Sequence, residues 1–156
     1  MRNYLIALAV IVVAAVCYVL FTTDRRTDEV QVTSLVDEIT KAANARDLSK
    51  SMSYISENFV YESDINKDRL RMLVAQAFRS ETNFSMQTTL KSLTINGDEA
   101  NAVIYVDIKG WNEGSENYQK DVNVILKKEP AKRLLVFPSS KWRVTNVDSL
   151  VVSGYD

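Results

Sequence analysis

The chain of 156 residues, 46% hydrophobic and 25% charged, suffices for one domain with its own core, is too short for two, and excludes general disorder. A net charge of −1 offers no concentrated basic surface, so no nucleic-acid partner is expected. The complete absence of His excludes His-based catalytic pairs, and the single cysteine, Cys17, excludes an intramolecular disulfide and a cysteine-based zinc site.

The first predicted element is the run YLIALAVIVVAAVCYVLF, residues 4–21, which carries no charged side chain. At about 1.5 Å per residue it is roughly 27 Å long and, with Thr22 and Thr23 added, matches a hydrocarbon core of about 30 Å. Residues 1–23 are therefore read as a transmembrane anchor. A cleaved signal peptide headed by Arg2 is the alternative, but the run exceeds a usual signal core and no small-x-small site follows it. A lipoprotein signal at Cys17 is disfavoured by the bulky Val16 before it and by the apolar residues Tyr18, Val19, Leu20 and Phe21 after it. Arg2 on one side nearly balances Arg25 and Arg26 on the other. With only three residues ahead of the span, the domain behind it is expected outside the cytoplasm, on the periplasmic or cell-surface side of a single-pass protein.

Residues 24–28 form a polar tether, and residues 29–156 the folded domain. Thr27 or Asp28 can cap a first helix, on which Val32, Leu35, Val36, Ile39 and Ala43 make one apolar face. Asp47 caps a second, shorter helix carrying Leu48, Met52 and Ile55. Residues 59–63 read as a short strand, after which Asp64 or Asn66 caps a third helix with Leu70, Leu73, Val74, Ala77 and Phe78 at helical spacing.

After Ser80 the period switches to two. Phe84, Met86, Thr88 and Leu90 alternate with polar residues, and Leu93 and Ile95 resume after an irregularity at Lys91 and Ser92. Asn96-Gly97-Asp98 is a hairpin signal leading into a strand at 102–111. A second loop at 112–115 leads into a strand at 118–128. A connection holding Pro130 and Pro138 precedes the last strand, 141–151. Helices first and hairpins afterwards predict an α+β domain of three helices packed on a curved, mostly antiparallel sheet.

The segment AANARDLSKSMSYISENFVYES, followed by a helix, hairpins and KWRVTNVDSL, resembles the nuclear transport factor 2-like (NTF2-like, SnoaL-like) superfamily, a cystatin-like fold, over about residues 29–150. The resemblance implies a cone whose pocket serves catalysis in some members and ligand binding in others. In its isomerase and dehydratase members the working groups are an Asp on or just after the short strand, a His or Asp deeper in the cone, and hydrogen-bonding tyrosines. Ser63 falls where the isomerase keeps its Asp, and no His exists to serve the dehydratase chemistry.

No catalytic residue is therefore assigned; if the domain is an enzyme of the isomerase, dehydratase or hydrolase kind, Glu62 and Asp64 are its carboxylates. Tyr61, Ser63 and Phe78 are the candidate ligand-binding residues. On the strands, Tyr105, Trp111 and Tyr118 are read as an outward surface for a second copy or an envelope protein. In KKEPAKRLLVFPSSKWR a basic rim surrounds an apolar stretch, so Leu135 and Phe137 either face a partner or close one end of the cone. No cofactor and no metal are expected. The leading expectation is a membrane-anchored, non-enzymatic domain that works by protein association or by holding a small apolar ligand in an envelope complex.

Overall fold

The computed structural model describes residues 27–62, 64–80, 84–109, 118–131 and 139–149. The predicted anchor at 4–21 lies outside the described residues, as do Ser63, Trp111, Leu135 and Phe137. Among the described residues no helix is long and apolar enough to cross a membrane.

Among the described residues three helices pack on a curved, mixed six-stranded sheet. Helix α1 (Asp28–Asn44) starts at Thr27, whose Oγ1 accepts from the Val30 amide at 3.5 Å, with Asp28 and Glu29 complementing the positive end of the helix dipole. Its apolar stripe buries Val32, Leu35, Val36 and Ala43. Helix α2 (Leu48–Ser53) is capped by Asp47, whose carboxylate accepts from the Lys50 amide at 2.9 Å. Strand β1 (Ile55–Tyr61) follows and pairs with the two-residue β2 (Ile65–Asn66). Asn66 then caps α3 (Lys67–Ser80) by accepting from the Arg69 amide at 2.9 Å.

The four long strands are β3 (Ser85–Asn96), β4 (Glu99–Lys109), β5 (Tyr118–Ala131) and β6 (Ser139–Ser149). The sheet order is β2-β1-β6-β5-β4-β3, with every pair antiparallel except β1 and β6. That parallel pair corrects the expected start of the first strand. Helical spacing runs from Leu48 and Met52 on to Ile55, but α2 stops at Ser53 and Ile55 pairs with Val144 of β6. A long-range ladder outweighs one more turn of a short helix, whose own hydrogen bonds are few.

Two local features shape the hairpins. Asn96 pairs with Glu99 across a two-residue turn in which Gly97 sits at φ +60, the left-handed conformation that a II′ turn asks of its first central residue. The irregularity expected at Lys91 and Ser92 is a register shift between Leu90 and Ser92 against Ile104 and Val103. Pro130, expected in a connection, lies instead within β5 opposite Ser140. The Lys128 amide already reaches Asp98 at the β3–β4 turn, so Pro130, facing the same edge two residues later, lies beyond the end of β4 and forfeits no ladder bond.

Inward-facing residues of the long strands join α1 in one core: Ala100, Ala102, Ile104, Val124, Leu126, Trp142 and Val144 close over Val32, Leu35 and Val36. Leu126 and Val32 are completely buried, each contributing about 1.5–3 kcal/mol through apolar area removed from water. At the other end of α1, the Asn44 side chain acts as a strand partner for the edge of β3. Its Nδ2 donates to the Met86 carbonyl at 2.8 Å and its Oδ1 accepts from the Met86 amide at 2.7 Å.

Helix α3 is different. Its spacing is as amphipathic as that of α1, yet none of its residues is fully buried. Its backbone runs close to α2, β1 and β2 and not to the described residues of β3 to β6, and Leu70 and Val74 pack against the core while only partly buried. The apolar side of α3 therefore faces a gap.

Candidate functional site

That gap is a cavity of about 670 Å³ between α3 and the inner face of the sheet. Leu70, Leu73, Val74 and Ala77 form one wall, a single stripe of α3 at helical spacing. Ile108, Val122 and Val147 form the facing wall, carried by β4, β5 and β6. Val122 pairs directly with Ile104 in the β4–β5 register, which fixes which strand faces turn inward. Ile55 and Phe59 of β1, both buried, form the inner end, while Leu73 and Tyr118, each more than two-fifths exposed, mark the mouth.

The polar groups on this lining are few and neutral: Tyr61, Gln76, Ser80 and Tyr118. Ser80 is already committed, its hydroxyl donating to the Gln76 carbonyl at 3.1 Å. No Asp, Glu, Lys or Arg lies among the described lining residues. A cavity within the range of about 300–1,000 Å³, mostly apolar with a few hydrogen-bonding groups, has the make-up of a small-molecule site.

The residues singled out from the sequence distribute unevenly around it. Tyr61 lines the cavity. Glu62 and Asp64 are exposed and do not line it, and Glu62 sits at φ +48 in the turn that ends β1. Phe78 is turned aside into an edge-to-face contact with Phe84, ring centres 5.9 Å apart, while its neighbour Ala77 faces the cavity. Tyr118, read as a partner surface, stands at the cavity mouth. Tyr105 is on the outward face, where Lys91 lies 5.1 Å from its ring and bonds Asp121 at 2.7 Å. Beside it Gln119 donates to Asp107 at 3.2 Å, so the Asp-bearing face carries its own polar network.

Gln76, Ile108, Val122 and Val147 were not singled out as site residues by sequence reasoning. Alternation puts the three strand residues on the inward face, but so it does the core residues Ile104, Val124 and Val144. What separates the two sets is that α1 covers one and α3 stands off from the other.

The cavity's inner wall is held by ionic and hydrogen-bonded ties outside it. Lys67, at the start of α3, donates to the Ile55 carbonyl at 2.9 Å and to Glu57 at 2.7 Å, pinning that end of the helix to β1. The Lys67 hydrogen bond holds the exposed Glu57 carboxyl below its usual range. On β1 the buried Ser56 hydroxyl donates to Glu129 of β5. At the α2–β1 junction Tyr54 donates to Glu38 of α1 at 2.7 Å, and burial first, with that carboxylate second, pushes its phenol up to about 12.

No family model matches the chain, and no curated protein matches it in sequence. Solved structures match its shape. An NTF-2 like protein of unknown function from Shewanella oneidensis aligns with a TM-score of 0.62 at 14% identity, over 78% of this chain and 97% of its own. A protein of unknown function from Mycobacterium tuberculosis aligns with a TM-score of 0.60 at 16% identity, over 81% of this chain and 79% of its own. A domain of unknown function with a cystatin-like fold from Nostoc punctiforme gives 0.57 at 12% identity, over 77% and 74%. At these identities the likeness is one of fold, and the fold is NTF2-like.

Proposed function

We propose that this domain is a non-enzymatic binding module whose cone holds a small, largely apolar molecule. The observation that carries the reading is the 670 Å³ cavity, walled by Leu, Ile, Val and Phe and without an ionisable carboxylate or amine among its described lining residues. Acid–base catalysis by a carboxylate needs that carboxylate within hydrogen-bond reach of the reacting atom. Glu62 and Asp64, the carboxylates an enzyme reading would use, point to no such reach, because neither lines the cavity. The apolar run at residues 4–21, as an anchor, would hold the cone at a membrane surface, with the domain on the extracytoplasmic side as part of an envelope complex.

The test is binding of the uncharged dye Nile red to the full chain, read as the difference in fluorescence between the native chain and Ala77→Trp. Ala77 lies on the cavity wall and is only half-buried, so the larger ring fills the cavity without invading the core. Saturable binding that the substitution abolishes supports the reading. Equal signals from the two chains overturn it. Protease accessibility of a C-terminal tag in intact membranes tests the orientation, and a tag cut only after lysis from the cytoplasmic side removes the envelope role.

A further inference from the structure

Resting on that reading, we infer that the molecule held in the cone is an amphiphilic monoanion, an apolar body ending in one carboxylate, whose charge is received by Lys120. Lys120 lies on β5 between Tyr118 and Val122, and strand alternation puts all three on one face. Both neighbours line the cavity, as does Ile108, which pairs with Tyr118 across the β4–β5 register. Lys120 pairs with Val106 in that register, so it stands in a row bounded by three lining residues. It is not itself part of the wall, but its flexible four-carbon stem lets the ammonium turn towards a head group at the mouth.

A lysine on the inward face of a sheet calls for a partner. Lys120 is half-buried and makes no hydrogen bond or ion pair with a described residue. On the described inward face of β4 and β5 the other charged residue is Lys128, and Asp28 already holds its ammonium. The nearby carboxylates do not serve Lys120. Asp107 and Asp121 lie on the outward face with Gln119 and Lys91, and Glu62 and Asp64 do not line the cavity. A carboxylate at the mouth, with its tail between α3 and the long strands, gives this ammonium a charge-assisted hydrogen bond. The phenol of Tyr118, which has no hydrogen bond to a described residue, supplies a second donor. A cationic head group meets Lys120 as a like charge. Tyr118 is 42% exposed, so water reaches the mouth and screens the pair, and the gain is a preference of about fivefold.

Three ten-carbon probes test the assignment: decanoate, 1-decanol and decylammonium, each below its micellar concentration, displacing Nile red from the full chain at pH 7.5. Ala77→Trp supplies the background. Lys120→Met keeps the length of the side chain and removes its charge, so the potency of decanoate relative to decanol should fall about fivefold. Lys120→Arg, which keeps the charge, should preserve that ratio. On the native chain decanoate should displace at lower concentration than decylammonium. A ratio that Lys120→Met leaves unchanged overturns the inference, and so does decylammonium as effective as decanoate on the native chain; either leaves the apolar-binding reading in place. Absence of Nile red binding to the native chain overturns both.

Discussion

Lys128, near the end of β5, holds the carboxylate of Asp28 in the first turn of α1, Nζ 2.7 Å from Oδ1 across 100 residues of sequence. Trp142 Nε1 donates to the same oxygen at 3.2 Å, and the Lys128 ammonium lies 5.7 Å from the Trp142 ring. One carboxylate thus fastens the start of α1 to two neighbouring strands.

The Lys128 hydrogen bond holds the Asp28 carboxyl below its usual range. The associated stability is fully present above the unfolded value near about 4 and is lost as pH falls through the lower folded value. Asp28→Asn keeps an acceptor for Trp142 and removes the charge. We expect it to cost about 0.5–1 kcal/mol at pH 7, a modest figure because both partners are partly solvated and screened. Urea unfolding at pH 7 and pH 3 should show the difference shrinking at the acidic end.

Tyr54 gives the opposite sign. With its phenol raised to about 12, its neutral form is the one that folding favours, so its contribution is present below the unfolded value near about 10 and is lost as pH rises through 12. Tyr54→Phe removes the bond to Glu38 and should cost about 1 kcal/mol at pH 8. Between pH 10 and 12 the variant should lose stability less steeply than the native chain, measured by denaturant midpoints.

The covered core and the open cavity wall predict different mutational costs. Leu126 is 0% exposed, and Leu126→Ala should destabilise by about 2–5 kcal/mol. Leu73 is 46% exposed on the cavity wall, and Leu73→Ser should change stability by less than about 1 kcal/mol. Nile red affinity should nonetheless fall severalfold in Leu73→Ser, which thermal unfolding and fluorescence titration together will read. Loss of stability in Leu73→Ser equal to that in Leu126→Ala would mean that α3 is core.

At Gly97 nothing lies within 4 Å of an added Cβ, so the cost of substitution there is conformational. Gly97→Val should destabilise by about 1–2 kcal/mol, because a branched residue resists positive φ, and Gly97→Asn by less. Chemical denaturation of the two variants separates backbone strain from steric conflict.

Much of the fold is legible in local pattern. The caps at Asp47 and Asn66, the helical stripes of α1 and α3, the Gly97 turn and the register shift after Leu90 each follow from a few adjacent residues obeying one geometric rule. Ile55 and Pro130 are misread from sequence for one shared reason. Ile55 fits a helix and Pro130 a loop until their partners across the sheet, Val144 and Ser140, are known.

The candidate site divides the same way. Tyr61 is legible because it lies on the short strand beside which the resemblance puts the pocket, whereas Phe78 and Ala77, adjacent on one helix, turn to different surroundings for reasons that only packing supplies: Phe78 meets Phe84, and Ala77 meets open space. The Ser56–Glu129 and Asp28–Lys128 ties join residues far apart in the chain and have no sequence signature.

By itself the sequence determines where most helices and strands lie and which face of each is apolar, because periodicity and capping are set within a few neighbouring residues. Only the tertiary structure decides that α1 presses its apolar stripe into the long strands while α3 packs on β1 and β2 and leaves a cavity between its stripe and those long strands. A cavity is a distance between groups remote in the chain, here Leu73 and Val74 against Val122 and Val147, and no local pattern encodes the contact that is not made.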